Sequence, residues 1–360
     1  MKMMFCNITY MNRYTGNIEE DIPRGGGAWV EKHKDAHEKW NFLNVDGYCF
    51  GFVMNQSDQF HIERLEGTSR QDAAAEDVTV VWCAHKPSGE TVIVGWYEHA
   101  TVYRYYLHSM ATPIGLDRDY FVKAKAEDCY LLPEEAREYT IGRAAVLGKG
   151  MGFGQSNFWY ADSAYARENI VPDVAAYLET VKNLRVNDGP EAFREPANVA
   201  TPLSSGEQEL ADQYLDDGED LRFLPLGFRR YRQEPNGDNA FTIAGALRDL
   251  YQFSSAIEWF RKVIEIEGSS WEADSNLLYL LMECERYEEA ISAATDLLAF
   301  REAKAPEVKR EIYGAIADSN YYLGRIEDAV SWLDKVIEES KDPELVQYII
   351  ETKEIWLSQR

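Results

Sequence analysis

The sequence predicts an α+β chain of two domains, a small mixed β-barrel followed by an all-α solenoid. Three observations carry that expectation. Residues 77–105 hold two β-branched runs around the turn cluster Lys86-Pro87-Ser88-Gly89, the pattern of a hairpin. Residues 239–340 carry apolar residues at helical spacing, with a small residue that returns at a near-constant interval. Between these regions, residues 186–206 hold three prolines and no hydrophobic period, as a linker does. The expected division is therefore 1–185 for a mixed, barrel-like ligand-recognition domain, 186–206 for the linker and 207–360 for a helical domain with capping helices. At 360 residues and 45% hydrophobic content the chain has material for two cores.

In the first domain, residues 2–10 read as a strand. Runs at 47–55 and 59–65 read as a second pair around Asn55-Gln56-Ser57-Asp58, and the hairpin of 77–105 follows. Its apolar residues occupy both parities, Val78, Val80 and Trp82 on one and Val81 and Cys83 on the other, which predicts that both faces are covered. Gly95, directly before Trp96-Tyr97, admits a close approach by backbone or ligand. Further strands are expected at 120–126 and 129–132, a short helix from Pro133, where proline suits the first turn, and a last helix near 163–184.

Charge and cysteine use exclude some functions. The net charge of −25 is uneven: residues 1–185 hold 19 Lys and Arg against 26 Asp and Glu, and residues 186–360 hold 18 against 36. That balance argues against nonspecific binding to a phosphate backbone, which needs cationic surface, but leaves room for a pocket that reads one extruded base. No apolar run is long enough for a membrane span, and the first residues read as a strand rather than a signal peptide. Cys6, Cys49, Cys83, Cys129 and Cys284 are odd in number and include no CxxC pair, which points to a reduced cytoplasm and no structural zinc. His33 and His37 are four apart but no third ligand accompanies them, so a solvated face is the better reading. No cofactor is indicated.

The glycine-rich run Gly148-Lys149-Gly150-Met151-Gly152-Phe153-Gly154 lacks the spacing of a phosphate cradle and reads as a pocket-lining loop. Arg229-Arg230-Tyr231-Arg232 is a compact basic patch, and in acidic surroundings it is expected to pair with carboxylates. No Ser-His-Asp order, nucleophile elbow or paired catalytic carboxylates stand out.

The helical region is marked by Ala256, Ala290 and Ala329, separated by 34 and 39 residues, with the extra length in REAKAPEVKR. Bulky residues stand three before each alanine (Phe253, Tyr287, Ile326), and packing positions follow at four (Phe260, Ala294, Leu333) and seven (Val263, Leu297, Val336). Alanine permits close helix crossing while its bulky partners fill the next groove. Over residues 239–340 this resembles tetratricopeptide repeats, with Leu323-Gly324 as the turn of the third unit. Ala244, Leu278 and Ala317 stand where that family has a glycine. The resemblance implies stacked helical hairpins and a protein partner. A capping helix is expected from Asp342-Pro343 onward, and another over 207–221.

In the first domain MFCNITYM, EKWNF, VTVVWCA, VIVGWYEHATVYR and GFGQSNFWYA, in that order, resemble an N-terminal domain of predicted prokaryotic restriction and defence proteins. The strand pair ending IVGWYEHATV is also similar to the PUA-like superfamily of EVE, ASCH and YTH domains. That resemblance implies an aromatic pocket for a modified DNA or RNA base. Trp82, Trp96, Tyr97 and Trp159 would stack on the base, and Asn7, Ser156 and Asn157 would read its edge. The competing reading places the same aromatics in the core. The leading expectation is a non-enzymatic reader and adaptor in the cytoplasm, with a base in the first domain and a protein on the repeats. A nuclease or glycosylase with its site in the first domain, and a pure interaction scaffold, are the alternatives.

Overall fold

The structure is a computed structural model that describes all residues except 17–20, 26–31, 34, 58, 110–117, 196–200 and 359–360. Part of the stretch expected as a linker thus lies outside the described residues. The chain divides into two units, Met1–Ala192 and Phe193–Arg360.

The first unit is built on a seven-stranded mixed sheet with the order β2-β5-β4-β3-β1-β7 and β6 also paired to β4. Its strands are β1 Met3–Ile8, β2 Tyr48–Gly51, β3 Ala74–His85, β4 Thr91–Ser109, β5 Arg118–Lys125, β6 Cys129–Leu131 and β7 Phe158–Trp159. The 19-residue β4 is long enough to serve three neighbours: β3 along one side, and β6 and then β5 along the other. β1 runs parallel to β3, from Met3 opposite Thr79 to Ile8 opposite Ala84. β7 adds antiparallel to β1.

The sheet is open, which corrects the expectation of a barrel. Closure requires its terminal strands to pair, but among the described residues the strand partner of β2 is β5, and that of the two-residue β7 is β1. Residues 59–65 are also not a strand: Ile62–Arg64 is a 3-10 turn, and the segment is tied to β4 by a bridge from Gln59 to Tyr105, by the Phe60 N–H donating to the Arg104 carbonyl at 2.7 Å and by the Arg104–Glu63 ion pair at 2.6 Å.

Burial follows parity as the hairpin pattern predicts. Met4, Cys6, Val78, Val80, Trp82, Val92 and Val94 enter one core. Met3, Phe5, Val81, Cys83, Ile93, Trp96 and Trp159 enter the other, which is covered by α2 Val171–Val181 with the π-turn Ala166–Ile170 before it, while the short helix α1 Ala144–Leu147 buries none of its residues. A bulge between Trp82 and Cys83 falls opposite Gly95. A Cβ on Gly95 would stand 2.4 Å from the Tyr130 carbonyl oxygen and 2.6 Å from the Phe42 ring, so the close approach that glycine allows is made by the protein's own β6 and Phe42. The buried Arg137 staples the N-terminal loop to this body by donating to the carbonyls of Leu132 (3.0 Å), Met11 (2.5 Å) and Asn12 (2.7 Å).

The second unit is helical: α3 Ser205–Asp216, α4 Asp220–Gln233, α5 Gly237–Asp249, α6 Phe253–Glu267, α7 Trp271–Glu283, α8 Tyr287–Leu297, α9 Pro306–Tyr322, α10 Ile326–Glu339 and α11 Pro343–Ser358. Several starts have a local cause. Ser204 forms a capping box with Glu207, Asn236 and Ser270 cap α5 and α7 through their side-chain oxygens, and Pro306 occupies the first turn of α9. Ala256, Ala290 and Ala329 are wholly buried on α6, α8 and α10, as the repeat pattern requires. The turns between paired helices put Tyr251, Glu285 and Gly324 at positive φ (61°, 56° and 75°), at the same intervals as the alanines. The large Leu278 is accommodated against Ala294, Leu297 and Ile312. The basic patch pairs as expected, Arg229 with Glu207, Arg230 with Asp212 and Arg232 with Glu195.

Candidate functional site

The residues expected to form a base pocket separate in the fold. Trp82 and Tyr97 lie in the core on one face of the sheet, both at 0% exposure, with their rings edge to face at 5.2 Å. Trp96 and Trp159 lie in the core on the other face. Trp96 stacks on Tyr130 at 4.8 Å and donates from Nε1 to Glu98 at 3.2 Å, and Trp159, 7% exposed, stacks on Phe5 at 5.0 Å. The three tryptophans therefore do not converge on one end of the sheet, because residues 82 and 96 differ in parity across the Gly95 bulge. The polar candidates do come together. The Asn7 backbone N–H donates to the Asn157 carbonyl at 2.6 Å, Asn157 Nδ2 donates to the Met54 carbonyl at 3.2 Å, and Ser156 is exposed beside them.

The glycine-rich loop lines neither cavity described below. It is folded back on itself, with Gly152 packed against the Gly142 carbonyl and Phe153 in the core.

Two adjoining cavities open where β1 begins, of about 350 and 820 Å³. The smaller is lined by Arg64, Tyr160 and Asp162: Arg64 binds Asp162 through two 2.7 Å hydrogen bonds and rides over the Tyr160 ring. The larger is lined by Lys2, Thr79, Glu98, His99 and Lys182. In it, Lys182 donates to Glu98 at 2.7 Å, and His99 Nδ1 meets the Asp77 carboxylate at 2.7 Å. Asp77 and His99 are irregular positions of the β3–β4 pair, both at positive φ (56° and 49°). The bond to Asp77 raises the His99 pKa above its ordinary value, which favours the cation. Sequence reasoning missed this pair because neither residue type marks a bulge.

In the second unit the first helices of the pairs, α5, α7 and α9, form one layer. Arg248 of α5 donates to Asn276 of α7 at 2.5 Å, and Ser319 of α9 meets Met282 of α7. The second helices form the other layer and tie up their charges: Arg261 and Arg286 with Glu289, Arg325 with Glu288, and Lys335 over the Trp332 ring. Where α7, α8 and α9 meet, Tyr287 stacks on Tyr322 at 4.9 Å and 16°, and Tyr321 stacks on Trp356 of α11 at 4.3 Å. Tyr322 remains 49% exposed. Burial pushes the Tyr287 hydroxyl up to about 12, and the acids Glu285, Asp318 and Glu283 add to the rise. Desolvation likewise raises Asp318 and Glu283 above the ordinary carboxylate range.

No protein-family model matches the chain, and no curated protein matches it in sequence. Among solved structures it is similar over part of its length to MamA from Desulfovibrio magneticus RS-1, at 14% identity and a TM-score of 0.35, covering 42% of this chain and 86% of that one. It is similar also to YrrB, described as a TPR protein with an unusual peptide-binding site, at 15% identity and a TM-score of 0.35, over 52% of this chain and 87% of that one. A third is PilF of Pseudomonas aeruginosa, at 15% identity and a TM-score of 0.32, over 42% and 69%. The repeat architecture assigned to this chain rests on its own helices. Among the described residues, no helix is long and apolar enough to cross a membrane.

Proposed function

We propose that the chain is a non-enzymatic adaptor whose helical repeats take a segment of a partner protein on the face formed by α5, α7 and α9. The observation that carries this is the open aromatic cluster of Tyr287, Tyr321 and Tyr322, with Tyr322 half exposed. Tyrosine supplies large contact area at low entropic cost, and partly exposed aromatics are enriched at protein interfaces. Stacked helix pairs also present a continuous surface along which an extended segment or a helix can lie.

The finer reading, a modified base held by the first unit, finds less support. Trp82, Trp96 and Trp159 could stack on a base only if core packing were undone, and of the expected site only Ser156 and Asn157 are exposed, with Asn7 joined to Asn157 through backbone and its own Oδ1 buried. Of the two cavities described above for that unit, the larger lies instead at Lys2, Thr79, Glu98, His99 and Lys182.

A photo-crosslinking amino acid placed in the full chain at Ser275 on α7 is expected to capture a defined segment of one partner, and the same group at the exposed Ser331 on α10 to capture none. Capture at Ser331 alone, or only at positions in the first unit, would refute the proposal.

A further inference from the structure

We infer that the face formed by the first helices carries a receptor for a basic side chain of the partner, an arginine above all, built by Tyr322, Tyr287, Asp318 and Glu283. This rests on the adaptor reading and names the chemistry of its ligand. Tyr322 offers a ring already backed by Tyr287 at 4.9 Å, and the residue is about half exposed. The negative face of such a ring attracts a guanidinium or ammonium within about 6 Å.

Acidic side chains act on both tyrosines, and among the described residues no cation is paired with them. Asp318, Glu283 and Glu285 all act on the Tyr287 hydroxyl, and Asp318 and Glu285 on that of Tyr322. The neighbouring arginines are engaged elsewhere: Arg286 holds Glu289 at 2.7 Å, and Arg325 holds Glu288 at 3.0 Å. Among the described residues, no Lys or Arg forms an ion pair with Asp318, Glu283 or Glu285.

Glu283 is half-buried, with Oε2 shut off from solvent and the Tyr279 hydroxyl as a hydrogen-bond donor to its carboxyl. A carboxylate accepts more than one hydrogen bond, so capacity is left for a donor from a partner. An arginine side chain meets each of these features at once, since its planar fork stacks on an aromatic face and presents five N–H donors to nearby carboxylates. The excess of acid over base in residues 186–360, 36 against 18, draws cationic segments toward this face from a distance.

The test uses the full chain and a fluorescent Gly-Ser peptide bearing arginines, with the same peptide bearing neutral, nearly isosteric citrulline as its control. Anisotropy at about 0.15 M salt limits long-range attraction to roughly one Debye length of 8 Å. The parent is expected to prefer the arginine peptide by about tenfold or more. Asp318→Asn combined with Glu283→Gln removes that preference, Tyr322→Leu weakens it several-fold, and Glu351→Gln with Glu354→Gln on the capping helix leaves it intact. Circular dichroism checks that each variant is folded. If Tyr322→Leu is not, the two carboxamide substitutions, which conserve shape, decide the matter.

Equal binding of the two peptides overturns the inference, and so does an equal loss in the Glu351/Glu354 variant. Crosslinking at Ser275 that persists without an arginine preference sinks the receptor and leaves the adaptor standing. Crosslinking at Ser331 alone removes the adaptor itself.

Discussion

Tyr251, Glu285 and Gly324 occupy one backbone position in three successive helix pairs, and only the third is glycine. An L-residue with a side chain meets steric cost at positive φ, of about 1 kcal/mol relative to glycine. Glu285→Gly should therefore raise the stability of the second unit by up to about 1 kcal/mol, and Gly324→Ala should lower it by a similar amount. Urea midpoints followed by helical circular dichroism measure both, and a destabilised Glu285→Gly would contradict the assignment. Glu38 offers a test by pH. Desolvation pushes its carboxyl from 4.5 up to about 7, against hydrogen bonds from its own backbone and from Thr9 that pull it down. The folded state then keeps a proton that the unfolded chain loses near 4.5, so this group makes stability fall as pH rises from about 4.5 to 7. Glu38→Gln should flatten that part of the profile, as thermal unfolding between about pH 4.5 and 7.5 would show, and an unchanged slope would count against the shift. In the sequence, Gly324 announced its turn, while Tyr251 and Glu285 hid theirs, because nothing about an ordinary side chain signals a left-handed backbone.

For the elements, the alternation of the central hairpin showed which residues face each core, since parity is a local property of a strand. It did not show how the sheet ends. Whether β2 and β7 meet depends on pairings between residues distant in sequence, and a two-residue strand such as Phe158–Trp159 leaves almost no pattern to read. The Gly95 bulge was equally silent, yet it decides that Trp82 and Trp96 sit on opposite faces. Gly95→Ala should be poorly tolerated, because the new methyl meets backbone at Tyr130 and a buried ring at Phe42 rather than a flexible side-chain end. Overpacking of this kind costs about 1–3 kcal/mol. Trp96→Ala should cost about 3–5 kcal/mol through the cavity that it leaves against Tyr130. Intrinsic fluorescence and near-UV dichroism on melting give both values. A Trp96→Ala variant as stable as the parent would reopen the case for a pocket.

At the scale of the whole molecule, the change of hydrophobic period near residue 200 was the most legible feature, because a 34-residue helical repeat and a two-residue strand repeat cannot be mistaken for one another. The position of a partner face was less so. Tyr287 and Tyr322 are 35 residues apart in sequence and become one stacked pair only when α8 and α9 pack. Limited proteolysis between residues 186 and 206 is expected to release two folded fragments, and loss of both folds on cleavage would contradict the division into two units. The partner face itself is tested most directly by hydrogen exchange on the full chain, with and without the segment captured at Ser275 supplied as a synthetic peptide. The account predicts slowed exchange confined to α5, α7, α9 and the turn before α8. Protection that falls instead on α6 and α10, or on the sheet of the first unit, would contradict it.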